Sequence, residues 1–290
     1  MPIREAAEAL NDCLTHPISD FNGVKVNETG EFRDLFNVGH KAAELILQDV
    51  SFQGSSTVCV GISSKQRVSE DVDLNLDLMG FFDDGIPTED FWNSHISDAL
   101  KSVKRTLVKS GTNIITLHAF CHLSLGLLFG YIFRRTTGFK LEIVQIGDKQ
   151  EAAWATESDP DISPLDSREL EGTLESKNLC VTLNLMSSDL SSVTRYLDKA
   201  PLDYRAMLEL SPERYPSTIS GEQAVGIALD LASKIKDMHA KYDTDTVHLF
   251  CAIPLGLAFL IGFNMNACGT IRCYEFDNAR RNYIPSCTLA

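Results

Sequence analysis

The sequence predicts an α/β chain of two tandem Rossmann-fold halves related by pseudo-twofold symmetry, with a short N-terminal helical segment. Three observations predict it. Residues 116–129 recur as residues 246–259, with Thr, His, Phe, Cys, Leu, Gly, Leu and Phe identical at eight of the fourteen positions. Each copy passes from a β-branched run at strand period into a Gly-bearing apolar run of helical length. The spacing of 130 residues then holds without a gap to a closing strand, residues 140–145 in the first half and 270–275 in the second.

The elements follow in order. Residues 1–55 contain two stretches of helical spacing, 2–14 and 32–50, around a turn-rich segment with Pro17, Asn22-Gly23 and Gly30, and read as a helical or docking piece. Residues 57–63 form a short apolar strand ended by Ser63, Ser64 and Lys65. Their second-half counterpart is residues 178–184, ended by Asn184 and followed by Ser187 and Ser188. Near-continuous apolar strands of this kind belong to parallel sheets covered on both faces. Thr88 is placed to cap a helix over 89–109 and Ser220 one over 222–241, each leading into a His-containing strand. The resulting division is a helical segment 1–55, a first half 56–148, an acidic connector 149–177 with room for one hairpin, and a second half 178–290. The tail of that half contains Arg280, Arg281 and Tyr283.

Composition narrows the function. A formal net charge of −14 argues against a binder of DNA or RNA polymers, which needs a basic face, but leaves room for a small anion held by local donors. The eight cysteines include no Cys-x-x-Cys pair, several lie in apolar runs, and no signal peptide is evident. A reducing cytoplasm is therefore expected, without a zinc site, cofactor or catalytic metal. The uncharged runs 114–133 and 247–267 are long enough to raise a membrane span. Their strand-period openings, and Pro254 near the start of the second run, instead favour strand–turn–helix units.

In open parallel sheets ligands sit beyond the carboxyl ends of the strands. That rule selects Ser63, Ser64 and Lys65, then Cys121, His122 and Ser124, then Gly147 and Asp148, then Asn184, Ser187 and Ser188, then Cys251 and Pro254, and finally Asp277 and Asn278; Phe120, next to the second of these groups, joins the candidates. Serine hydroxyls and the backbone N–H groups at the two helix starts suit phosphate. Trp154 and Tyr283 are candidate stacking partners for bases, and Arg280 joins Lys65, Arg67, Arg134, Arg135 and Arg281 as a candidate cation. His118 and His248, mid-strand, read as core histidines bonded to neighbouring backbone. Gly126, Gly130 and Gly256 read as small-residue steps for helix–sheet packing, since no Gly-x-Gly-x-x-Gly follows either opening strand. The carboxylate pairs Asp71/Asp73 and Asp83/Asp84 read as solvated surface.

The paired His-x-Phe-Cys…Gly-Leu motif, above all residues 247–259 with the following Cys273-Tyr274-Glu275-Phe276, resembles the SAVED family. The resemblance covers about residues 55–290 and is weaker in the first half, where Ser124 stands in place of Pro254. It implies two fused CARF-like halves and a sensor for a cyclic di-, tri- or tetranucleotide in CBASS- or CRISPR-type antiphage signalling. It also implies head-to-tail assembly and activation of an effector. Residues 1–55 are too short to be one of the family's effector enzymes, so either the effector is on a separate protein, as expected here, or the chain is a stand-alone sensor. The competing reading is a serine hydrolase or ring-cleaving nuclease, because His122-Leu123-Ser124-Leu125-Gly126 partly matches the turn that exposes a nucleophilic serine.

Overall fold

The structure is a computed structural model that describes residues 56–68, 72–145, 152–161, 165–186, 191–212 and 218–290. The expectations for residues 2–50, and for Asp71, Gly147, Asp148, Ser187 and Ser188, lie outside the described residues. The chain divides into two compact units, residues 1–56 with 98–113 and residues 57–97 with 114–290.

In the first unit the described residues are chiefly those of helix α1 (Ser97–Ser110). Gly111 ends it in the left-handed region at φ 77°, and the Thr112 N–H donates back to the Leu107 carbonyl at 3.0 Å. Glycine closes the helix there because a Cβ would be strained at that φ.

The second unit contains two sheets of matching design. In the first, β1 (Thr57–Ser63), β2 (Leu74–Asp77), β3 (Ile114–Phe120) and β4 (Lys140–Gln145) are parallel, and β5 (Ala152–Ala155) runs antiparallel on the β4 edge. Its order is β2-β1-β3-β4-β5. The second sheet takes β6 (Asp166–Glu171), β7 (Asn178–Asn184), β8 (Ala206–Ser211), β9 (Thr246–Ala252), β10 (Thr270–Asp277) and β11 (Asn282–Leu289) in the order β11-β10-β9-β7-β8-β6. Apart from the extra edge strand β6, the two orders superpose strand for strand, down to the antiparallel last member. These are the two tandem halves.

Helix α2 (Leu123–Ile132) follows β3, and its counterpart α5 (Leu255–Asn264) follows β9. They cross backbone to backbone at the centre of the unit. A Cβ on Gly130 would collide with the Phe259 carbonyl oxygen, and one on Gly262 with the Leu127 carbonyl oxygen, so the contact is reciprocal. Gly126 faces Ala258 in the same seam, where an added Cβ would meet the Ala258 Cβ at 3.1 Å. The glycines of α2 therefore serve helix–helix rather than helix–sheet packing, and Gly256 meets a side chain from β4 described below. Phe129 and Phe259 meet edge to face across the crossing, ring centroids 5.7 Å apart.

The halves differ in what covers their outer faces. In the second, α3 (Ser191–Lys199) lies between β7 and β8, and its Val193 and Tyr196 pack on Cys180, Phe250, Tyr274 and Tyr283. In the first, no helix is described between β1 and β2, and Thr116, His118 and Phe120 are only half-buried. Helix α4 (Gly221–Tyr242) starts with a capping box: the Gln223 N–H donates to Ser220 Oγ at 3.2 Å and the Ser220 N–H to Gln223 Oε1 at 3.1 Å. Thr88 caps as expected, but the helix it opens passes through a π-helical turn, Trp92–Ile96, before α1.

Three expectations need correction. The described residues of 149–177 form no internal hairpin: β5 joins β4 and β6 joins β8, so the stretch gives one edge strand to each sheet. The tail after residue 278 is a full strand, β11. The counterpart strands 57–63 and 178–184 are offset from each other by two residues in the sheets. Cys59 lies opposite Thr116, whereas Cys180 lies opposite His248. The true equivalents by pairing are Ser63, opposite Phe120, and Thr182, opposite Phe250.

Candidate ligand site

After Ser63 the chain turns sharply. The Ser64 and Lys65 N–H groups both donate to the Phe120 carbonyl, at 3.1 and 3.0 Å. Ser63 Oγ, fully buried, accepts the Val68 N–H at 3.0 Å. Ser64 Oγ accepts the His122 N–H at 3.0 Å and lies 2.9 Å from His122 Nδ1, to which it has its own proton to give. Both hydroxyls, expected to face a ligand, are thus turned into the fold. His122 is the N-cap residue of α2 and stacks on Phe82 with centroids 4.3 Å apart. Burial, helped by the Lys65 charge, lowers its pKa to about 4, so the ring is neutral at neutral pH.

The start of α2 is already filled. Glu275, from β10 of the other half, accepts the Ser124 N–H on Oε2 at 2.8 Å and the Leu123 N–H on Oε1 at 3.4 Å. It is 3% exposed, with Lys65 Nζ 3.9 Å from Oε1 and that lysine half exposed. Burial pushes the Glu275 pKa up, against the opposing pull of the Ser124 N–H and Lys65. The N–H groups expected to meet a phosphate here are given to the protein's own carboxylate. At the start of α5, the mirror position is taken by Gln145 of β4, whose amide lies where a Cβ on Gly256 would be. Each closing strand therefore reaches the first turn of the other half's helix, with a carboxyl group on one side and an amide on the other.

Ser124 cannot serve as a nucleophile. Its side chain is fully buried, its Oγ is 2.7 Å from Ser286 Oγ, and Ser286 in turn donates to the Cys273 carbonyl at 2.9 Å. His122, the one imidazole of the motif turn, is bonded to Ser64 instead. The hydrolase reading lacks both an exposed nucleophile and its base.

One open space lies in the second half. A cavity of about 280 Å³ sits at the carboxyl ends of β7 and β9, between Thr182, Asn184, Phe250, Phe276 and Tyr283, with Leu123 of the first half on its wall. Tyr283 meets Phe250 edge to face at 5.1 Å, and its hydroxyl donates to the Cys251 carbonyl at 3.4 Å. Asn184 Oδ1 accepts the Met186 N–H at 3.3 Å. Thr182 is 2% exposed, and its Oγ1 has no hydrogen-bond partner. Cys251 lines the cavity as an inert thiol, its pKa pushed up to about 12 by burial; burial raises that of Cys121 as well.

Of the residues singled out in the sequence, Asn184, Cys251 and Tyr283 line this cavity, while Ser63, Ser64, Lys65, Phe120, Cys121, His122 and Ser124 belong to the first-half turn. Pro254 is the N-cap residue of α5. Trp154 is buried on β5 against Gly221, a packing role. Arg280 is held by Asp277 at 3.1 Å. His248 bonds the Tyr274 hydroxyl at 2.7 Å rather than backbone, and buried His118 Nδ1 has no partner. Asp73 is more than solvated surface, since it accepts the Cys59 N–H at 2.8 Å. Thr182 was missed; the available signal was a hydroxyl within a run of apolar strand residues. Among the described residues no cluster suited to a metal ion is found, and no helix is long and apolar enough to cross a membrane.

Residues 96–289 match the family described as SMODS-associated and fused to various effectors sensor domain, SAVED. The chain belongs to this family. Among curated proteins it is 24% identical over 219 residues to CD-NTase-associated protein 4 of Enterobacter hormaechei, covering 73% of this chain and 43% of that protein. The Moraxella osloensis protein of the same name is 26% identical over 239 residues, covering 79% and 48%. The chain thus spans less than half the length of these SAVED relatives. Among solved structures it resembles the Acinetobacter baumannii Cap4 SAVED/CARF-domain receptor with 2′3′3′-cAAA, at TM-score 0.66 and 19% identity over 88% of this chain and 56% of that one. The same receptor with 3′3′3′-cAAA gives TM-score 0.67 and 18% identity over 99% and 62%. At these identities the likeness establishes the SAVED fold.

Proposed function

We propose that this SAVED chain is a receptor for a cyclic oligonucleotide second messenger in bacterial antiphage signalling of the CBASS type. The observation that carries the reading is the cavity at the carboxyl ends of β7 and β9, where an open α/β sheet receives its ligand. Solved SAVED neighbours with cyclic trinucleotides support the ligand class. In this reading the chain performs no covalent step. Ligand binding drives assembly, head to tail, and switches on an effector that lies outside these residues. The seven described cysteines are free thiols, in keeping with work in the reducing cytoplasm.

A thermal-shift screen against cyclic di-, tri- and tetranucleotides, with linear forms as controls, tests the reading. A ring at 100 times its dissociation constant should add about 2.7 kcal/mol of stability. A flat screen across all rings removes the receptor function. Ser124→Ala should leave the ring intact and its binding unchanged; ring cleavage that disappears in that variant would restore the hydrolase.

A further inference from the structure

We infer that the ligand's phosphates are gripped by Arg195 and Arg281, a pair of guanidinium groups at the rim of the second-half cavity. The inference rests on the receptor reading and deepens it.

A chain of net charge −14 repels a phosphate-bearing ring, so the ring must meet a local concentration of positive charge or of free N–H donors. The first turns of α2 and α5 do not supply it. The Glu275 carboxyl group accepts the Leu123 and Ser124 N–H groups, and Gln145 fills the space beside Gly256. Lys65 lies 3.9 Å from the same Glu275 carboxyl group.

Three arginines gather instead at the carboxyl end of the second sheet. Phe276 and Tyr283 line the cavity and face each other across β10 and β11, and the turn between them holds Arg280 and Arg281. Ser192 also lines the cavity, and Arg195 stands three residues further along α3, on the same side of the helix. Arg195 Nη1 donates to the Arg281 carbonyl at 3.0 Å, which ties the helix to the turn and brings the two residues together. The three differ in what neutralises them. Arg280 pairs with Asp277 at 3.1 Å. Arg195 and Arg281 are exposed, and neither pairs with a carboxylate among the described residues.

A phosphodiester offers two unesterified oxygens, which match the planar fork of a guanidinium. A ligand whose apolar body rests against Phe250, Phe276 and Tyr283 presents its phosphates at the rim, where Arg195 and Arg281 stand.

Arg281 has a left-handed φ of 50°, a conformation that glycine adopts without strain. Arg281→Gly therefore removes the guanidinium while relieving the backbone, and the unliganded variant should melt no lower than wild type. The probe is the cyclic nucleotide that most stabilises wild type in the thermal-shift screen. Arg281→Gly and Arg195→Gln should each weaken its binding about tenfold. Raising salt from about 0.05 to about 0.5 M should weaken the wild type more than either variant, because screening acts on the charges the variants lack. Lys199→Gln removes the same charge from the last residue of α3 and should leave affinity unchanged. Wild-type affinity in either arginine variant, or an equal loss in Lys199→Gln, overturns the phosphate assignment while the receptor stands. Arginine variants that bind the ring as wild type does but no longer self-associate would give the pair to an acidic surface of a second copy. If no ring binds the wild type, the receptor reading fails and this inference with it.

Discussion

The two halves share one strand order and one motif yet differ at the position where a ligand would enter. In the first half, Ser63 is satisfied by Val68, Ser64 is locked to His122, and His122 is stacked on Phe82. In the second, the equivalent Thr182 faces a cavity with its hydroxyl unpaired, beneath a helix, α3, that the first half lacks among its described residues. Duplication supplied two copies of a carboxyl-end site. Among the described residues one is filled by the protein's own groups and the other borders a cavity. The same division appears at the helix starts, where the buried carboxyl group of Glu275 closes α2 and the amide of Gln145 meets α5.

The seam between the halves should be the most sensitive place to break this arrangement. Gly262→Val drives a side chain into the Leu127 carbonyl, and a loss of about 3 kcal/mol is expected in urea unfolding, at the upper end of overpacking costs. A wild-type midpoint would mean that α2 and α5 cross less closely than described.

Next in size, Ser63→Ala strands the buried Val68 N–H and should cost about 1–3 kcal/mol, whereas Thr182→Val should be neutral or stabilising by up to about 1 kcal/mol. Equal losses in the pair would erase the difference between the halves.

Glu275→Gln tests the carboxyl group at the start of α2 through pH. The folded pKa of Glu275 is raised, so its stabilising contribution is full below the ordinary carboxylate value and is lost as pH rises through the raised one. The stability of wild type relative to Glu275→Gln should therefore fall with rising pH across that window. A rise would mean that the bonds from Leu123, Ser124 and Lys65 outweigh burial.

The smallest effect expected is spectroscopic. His122 and His248, both with pKa lowered to about 4 by burial, should show no imidazole titration by NMR between about pH 6 and 8, the range in which an ordinary histidine titrates. A midpoint in that range for His122 alone would show the first-half turn to be open to water.

Much of this was legible in the chain. The repeat at 130 residues, the strand-to-helix switch within it and the caps at Thr88 and Ser220 are local patterns that survive in the fold. The edge strands were not legible. β6 is exposed along almost its whole length, so it carries no apolar alternation to mark it. The tail strand β11 begins after a polar turn whose Arg281 adopts a left-handed φ of 50°. The site was half legible, because the carboxyl-end rule marks loops without saying which of their polar groups are already paired.

By itself, then, the sequence determined the fold class, its duplication and the ends of the strands at which a ligand would sit, since each follows from the period of apolar residues and from self-similarity. Only the tertiary structure decided which of the two sites is open. The carboxyl group that fills the start of α2 comes from a residue 151 positions away from Ser124, and among the described residues the helix that roofs the second cavity has no counterpart in the first half. Pairing between groups so far apart is set by the packing of whole sheets and helices, which no local pattern encodes.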